Sequence, residues 1–270
     1  MSEEQVTFDG ACERLLGMLH RPDGETTSAY VFCNAFGDER KCSHRMLALL
    51  AREMARRGAA VLRFDYGGCG DSGGELREAT IGSFEEDIAC ALEFAGQSTD
   101  APHLGLLGLR LGGALAARVA AVRDDVTSLV LLQPILDGKA AFAADLKRKM
   151  VREMMMRGKS GGKRSDLVQQ LEAGEGEIDL DGFVITGALY QGLMGINVPE
   201  QISGLSGRVL VVQIAPSDSI RPETDSLRSA CEAAGAETAV QAVVEPPFWN
   251  RIEFMECSDT IANVCDWLSG

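Results

Sequence analysis

The chain has 270 residues, 46% hydrophobic content and a formal net charge of −14, a size that holds one α/β domain with an insertion. The acidic balance argues against binding nucleic acid or an anionic membrane through bulk electrostatics. No apolar run reaches the ~20 residues of a membrane span, and the acidic start Met1-Ser2-Glu3-Glu4-Gln5 does not read as a secretory signal. Eight cysteines show no CxxC spacing. The expectation is a cytoplasmic protein with reduced thiols, no metal and no cofactor.

In chain order, Val31-Phe32-Cys33 reads as a buried strand, followed by the loop Asn34-Ala35-Phe36-Gly37-Asp38-Glu39. A helix follows, with Ser43 as its expected N-cap and Met46, Leu49, Leu50 and Met54 on one face, closing at Arg56-Arg57-Gly58. Val61 to Asp65 is the next strand, and a glycine-rich turn runs from Gly67 to Gly74. A helix over 80–95 leads to a strand over 103–108. Strands alternating with helices imply a parallel sheet covered on both faces.

The next segment is Leu106-Leu107-Gly108-Leu109-Arg110-Leu111-Gly112-Gly113. It has the layout of the G-x-S-x-G elbow, which exposes a serine on a sharp strand-to-helix turn above a sheet. Here arginine holds the serine position. A guanidinium stays protonated at working pH and only donates hydrogen bonds, so Arg110 is no nucleophile.

About seventy residues separate the strand ending at Leu131-Leu132-Gln133 from the one starting at Val209, too many for an ordinary loop. Asp145 to Arg157 is cationic and methionine-rich, Gly158 to Arg164 reads as a flexible hinge, and helices are expected over 165–173 and 186–194. The methionines suit either core packing or an adaptable apolar surface. Residues 137–203 are therefore expected to form an insertion in a core of 1–136 and 204–270.

The succession of strand, Asn-Ala-Phe-Gly loop, helix, "RFDYGGCGDSGG" and elbow resembles the α/β-hydrolase fold. More narrowly, three segments resemble the hydrolase-like proteins of bacterial exosortase A systems. They are "FGDERKCSHRMLALLAREMARRGAAVLRFDYGGCGDSGG", "GLRLGG" and "LEAGEGEIDLDGFVITGALYQGL", of which the third is the most discriminating. The resemblance implies a mostly parallel central sheet with helices on both faces, a helical cap formed by the insertion 137–203, and an arginine at the elbow as a family feature.

In that fold the acid follows a late strand and the histidine follows the last one. The loop after Val209–Ile214 offers Asp218 in the acid position. After the last strand, Ala239 to Val244, the chain reads Glu245-Pro246-Pro247-Phe248-Trp249-Asn250, and no histidine occurs beyond His103. Two of three triad roles are vacant. His44 is the alternative base, against a plain reading as a solvent-facing histidine; His20 and His103 are poorer candidates. Cys33, Cys69 and Ser72 are the alternative nucleophiles, against burial or turn bonding.

Arg110 has two readings: an internal ion pair, with Asp218 first and Glu39 or Glu245 as other neighbours, or recognition of a carboxylate or phosphate. Asn34, Phe36, Leu111, Glu39 and Trp249 are the expected ligand-binding residues, with the backbone N–H groups of the Phe36 loop and of Leu111 surviving as anion donors. The function so expected is that of an atypical or catalytically inactive hydrolase-fold protein binding a small anionic or acylated molecule or a protein partner. The alternative is an active hydrolase or acyltransferase with a relocated nucleophile.

Overall fold

A computed structural model describes residues 1–157, 164–174, 176–251, 253 and 255–270. Its centre is an eight-stranded sheet built from β1 (Ser2–Asp9), β2 (Arg14–Arg21), β3 (Ser28–Cys33), β4 (Ala59–Phe64), β5 (Leu104–Leu109), β6 (Val126–Leu132), β9 (Arg208–Ala215) and β10 (Glu237–Val244). The spatial order is β1-β2-β4-β3-β5-β6-β9-β10. From β4 to β10 every neighbour pair is parallel, while β2 runs antiparallel to both β1 and β4. The expected mostly parallel sheet is what the chain forms.

Both faces of this sheet are buried, and the strands show it as near-continuous apolar runs whose side chains alternate between two cores. Val31, Leu106, Leu129 and Val211 point into one core. Phe32, Leu107, Val130 and Val212 point into the other. The first core is covered by α2 (Ile81–Thr99), α3 (Leu111–Ala120) and α8 (Pro222–Ala234). The second is covered by α1 (Asp38–Arg56) and α9 (Ser258–Ser269).

Between β6 and β9 lie α4 (Gly138–Arg157), α5 (Arg164–Glu172), α6 (Gly187–Met194) and α7 (Val198–Gln201). The first three of these helices contact a hairpin of β7 (Glu177–Leu180) and β8 (Phe183–Thr186), turned by Asp181-Gly182 with both residues at positive φ. This hairpin is a separate two-stranded sheet. The hinge expected over 158–164 falls on residues outside those described, except Arg164, which opens α5.

Local chemistry explains most boundaries. Thr80 and Ser83 form a reciprocal capping box on α2. Pro222 opens α8 and Gly235, at φ 104°, closes it. The start of α1 differs from expectation: Gly37, at φ 66°, turns the chain directly into the helix, so Asp38 and Glu39 fill its first turn. Ser43 is an interior residue whose hydroxyl donates to the Glu39 carbonyl at 2.7 Å.

Candidate functional site

The elbow follows from three backbones meeting. Arg110 sits at φ 55°, ψ −116°, between the end of β5 and the start of α3. Such a conformation is costly for a residue with a Cβ, of order 1–3 kcal/mol, and the surroundings hold it. A Cβ on Gly108 would collide with the backbone of Gly112 and Gly113, and one on Gly112 with the carbonyls of Cys33 and Asn34. The Arg110 N–H donates to the Leu132 carbonyl at 3.1 Å, and its carbonyl accepts from Ile135 at 3.0 Å. Leu111 is the first residue of α3, so its N–H has no acceptor within the helix.

The Arg110 side chain turns to Glu39. Its Nε lies 3.2 and 3.3 Å from the two carboxylate oxygens. A terminal nitrogen donates to the Gln133 carbonyl at 3.2 Å. The guanidinium carbon stands 5.4 Å from the Trp249 ring centroid, within cation–π range. Trp249 arrives from a 3-10 turn, Phe248–Asn250, on the loop after β10. That loop is where the fold would deliver a histidine. Arg110 of the elbow and Trp249 of this loop pack on each other, as cation and aromatic face.

Glu39 and Arg110 are both well buried, with side chains 14% and 18% exposed. Burial raises the Glu39 pKa, against the opposing pull of Arg110. A second arginine, Arg148 of α4, stands 3.9 Å from Glu39 and also pairs with Asp145. Burial raises the Asp145 pKa as well. A chain of charge thus runs from Trp249 through Arg110, Glu39 and Arg148 to Asp145, joining the elbow to α4.

These groups border a cavity of about 870 Å³, within the size range of small-molecule sites. Phe36, Leu111, Phe142, Leu180, Phe183, Ile185, Leu193 and Trp249 supply apolar wall, and Asp38, Glu39, Lys41, Asp145, Arg148 and Asp181 supply charge. Arg110 is not part of the wall; Glu39 and Trp249, which are, stand in front of it.

Of the residues expected from sequence, Arg110, Glu39, Phe36, Leu111 and Trp249 meet here. Asn34 does not face the cavity: its side-chain amide donates to the Phe64 carbonyl at 2.5 Å and ties β3 to β4. Asp218 is exposed on the loop after β9, and the expected Arg110–Asp218 pair is replaced by Arg110–Glu39. Glu245 accepts from the Asp259 N–H at 2.9 Å and from the Thr260 hydroxyl, at the start of α9. His44 is exposed on α1 and outside the cavity wall.

The alternative nucleophiles are occupied elsewhere. Cys33 is buried, and burial drives its thiol far above the usual range; Cys69 is pushed up to about 12 by the same cause. Ser72 donates to the Asp65 carbonyl at 2.5 Å and accepts from Leu16 at 2.9 Å, a turn-bonding role. His20 is buried in β2, lowered to about 4 by burial and then by Arg63, which donates to its Nε2 at 3.1 Å. Among the described residues no group of three His, Cys, Asp or Glu is arranged to hold a metal.

Sequence reasoning did not single out Gln133, Arg148 or Asp145 as site residues. Gln133 is a non-glycine residue at φ 41°. Its side-chain oxygen accepts from Ile214 at 2.8 Å and its N–H donates to Val212 at 2.9 Å, so β9 fixes the carbonyl that Arg110 uses.

Comparison with known proteins places this geometry. Palmitoyl-protein thioesterase ABHD10, mitochondrial, of Rattus norvegicus is 32% identical over 102 residues, covering 37% of this chain and 33% of that protein. The match spans about a third of the length of the curated relative. Ferulic-acid-bound Est1E from Butyrivibrio proteoclasticus superposes with a TM-score of 0.70 at 17% identity, covering 97% of each chain. DcsB in complex with a substrate analogue superposes at 0.67 and 18% identity, covering 99% of this chain and 98% of that one. At such identities the structural likeness carries the fold, which is the α/β-hydrolase fold. The family model described as serine aminopeptidase, S33, matches residues 31–188, more than half of the chain. This protein belongs to that family, within the α/β-hydrolase superfamily.

Proposed function

We propose that this chain is an α/β-hydrolase-fold protein that has exchanged serine hydrolysis for the binding of an acylated or anionic small molecule. The observation that carries the reading is the Arg110–Glu39 pair at the elbow, with Nε 3.2 Å from the carboxylate and Trp249 over the guanidinium. Hydrolysis by the family route needs an activated hydroxyl at residue 110 and a histidine on the loop after β10. Neither residue type stands there. The aromatic and aliphatic walls suit an acyl or aryl chain, and Lys41 and Arg148 suit an anionic head group. The thioesterase named among the relatives, a protein that acts on palmitoylated protein, agrees with an acyl ligand.

Residues 137–203 are read as the cap over this cavity, since α4, the β7–β8 hairpin and α6 all contribute wall residues. The three segments that resemble exosortase-associated hydrolase-like proteins favour membership of that subgroup. Eight free thiols favour a reducing compartment such as the cytoplasm. A relocated thiol or hydroxyl nucleophile is disfavoured by the raised pKa values of Cys33 and Cys69 and the bonding of Ser72.

Two measurements test the reading together. A fluorophosphonate probe should label no serine stoichiometrically. Fatty acids of increasing chain length should raise the melting temperature more than their methyl esters do, and Arg148→Gln should erase that difference. Stoichiometric labelling, or no stabilisation by any chain length, overturns it.

A further inference from the structure

We infer that Glu39 occupies an anion seat between Arg110 and Arg148, and that a ligand's carboxylate or other oxyanion takes this seat by displacing Glu39, which leaves it as the neutral acid. The inference rests on the cavity being a site for an acylated or anionic molecule; it adds where the anion sits and what its entry requires. The seat is already built. Glu39 is a wall residue of the cavity, and Arg110 lies behind it. Both Glu39 oxygens bond one nitrogen, Nε of Arg110, at 3.2 and 3.3 Å, and Arg148 stands 3.9 Å from one of them.

Other contacts hold the Arg110 guanidinium without Glu39. A terminal nitrogen donates to the Gln133 carbonyl at 3.2 Å. Gln133 is itself fixed by β9, since its side-chain oxygen accepts from Ile214. The Trp249 ring lies 5.4 Å from the guanidinium carbon. An oxyanion arriving from the cavity therefore meets a cation held in position, which suits binding across two nitrogens.

Charge balance makes the exchange proton-linked. Among the described residues, the charged groups around Glu39 are Arg110 of the elbow, Arg148 and Asp145 of α4, and Asp38 and Lys41 of its own helix; Asp181 of the hairpin shares the wall. Arg148 pairs with Asp145, and Lys41 lies 3.4 Å from Asp38. The two arginines are thus matched by Glu39 and Asp145, and neither is spare. An added anion puts three negative charges around two arginines. Like charges so placed cannot all stay ionised. Asp145 keeps contact with solvent at 43% exposed, whereas Glu39 is enclosed at 14%, and burial already favours its neutral form. One proton from solvent restores the balance: the Arg110–Glu39 pair becomes an Arg110–ligand pair, and the neutral carboxyl turns into the cavity it lines. Affinity falls as pH rises, because ionised Glu39 then holds the seat.

Calorimetric titration of the full chain with octanesulfonate, an anion at every pH used, tests this, with methyl octanoate as the neutral control. Heats in phosphate and Tris buffers at pH 7 should differ as expected for about one proton taken up per sulfonate and none per ester. Sulfonate affinity should fall by up to about tenfold per pH unit between pH 6 and 8. Glu39→Gln should bind the sulfonate about tenfold more tightly than wild type at pH 8, without proton uptake or pH dependence. The double variant Arg110→Met with Glu39→Gln leaves no buried charge behind; it should keep the ester and lose the sulfonate, and melting curves establish that each variant folds. Sulfonate binding without proton uptake would overturn the inference and leave the cavity reading standing. So would uptake that Asp145→Asn removes and Glu39→Gln retains, or full sulfonate affinity in the folded double variant. No binding of either probe would remove both.

Discussion

Replacing Arg110 by methionine removes the cation and keeps most of the side-chain volume. Glu39 is then left 14% exposed, with Arg148 at 3.9 Å as its remaining cation. Breaking a fully buried ion pair costs roughly 3–5 kcal/mol. Residual exposure and Arg148 bring the expectation at pH 8 down to about 2–3 kcal/mol, which for a chain of this size lowers the melting temperature by roughly 2–4 °C per kcal/mol. Methionine does not relieve the strained backbone at φ 55°, so no gain offsets the loss.

Burial already raises the Glu39 pKa above its ordinary value of 4.5, and loss of Arg110 raises it further. A carboxylate whose folded pKa is raised binds more protons folded than unfolded. Its stability contribution is therefore full below the unfolded value and is lost as pH rises through the folded one. Arg110→Met should consequently be nearly as stable as wild type at pH 4.5 and fall behind as pH increases. Denaturant melts of Arg110→Met, Glu39→Gln and the double variant across pH 4.5–8 read the effect. The double variant should recover part of the single losses at pH 8, with coupling on the order of 1–3 kcal/mol. A pH-independent deficit, or additive losses in the double variant, would refute the Glu39 partnership.

Other outcomes follow from the same geometry. Arg110→Ser should gain no fluorophosphonate labelling, because the loop after β10 still supplies Trp249 and no histidine; substantial turnover by this variant would reveal another base. Trp249→Ala should destabilise by about 3–5 kcal/mol in a urea melt, from lost burial and a new void. Gly112→Ala should be strongly destabilising, since its methyl group would meet the carbonyls of Cys33 and Asn34; wild-type melting would deny that close approach. Limited proteolysis should cut first within 157–177, and first cuts in loops of the sheet core would count against a separable cap.

The sheet was readable because both its faces are buried, so β3, β5, β6 and β9 appear as unbroken apolar runs bounded by glycine and helix caps. The elbow was readable because two glycines are needed wherever a strand, a helix and a neighbouring strand end approach this closely. Glu39 was visible as a possible neighbour but ranked behind Asp218. The cause is a helix start. Taking Ser43 as the cap leaves Glu39 in a loop, whereas the positive φ of Gly37 winds it into the first turn of α1 and aims it at the elbow. Gln133 and Arg148 were beyond reach for another reason. The first acts through a carbonyl set by a left-handed backbone, and the second through the approach of its side chain to Glu39, contacts made across 23 and 109 residues of chain that leave no periodic trace.

The elbow glycines have a consequence for how such chains are recognised. The turn's shape is set by main-chain contacts among Cys33, Asn34, Gly108, Gly112 and Gly113, none of which involves the side chain at 110. Reactive group and mounting are thus physically separable. A lineage can replace the group while the mounting goes on presenting whatever occupies that seat, serine or arginine, at one point above the sheet. Likeness of the frame therefore reports the fold, while the side chain at the seat sets what chemistry that point above the sheet can offer.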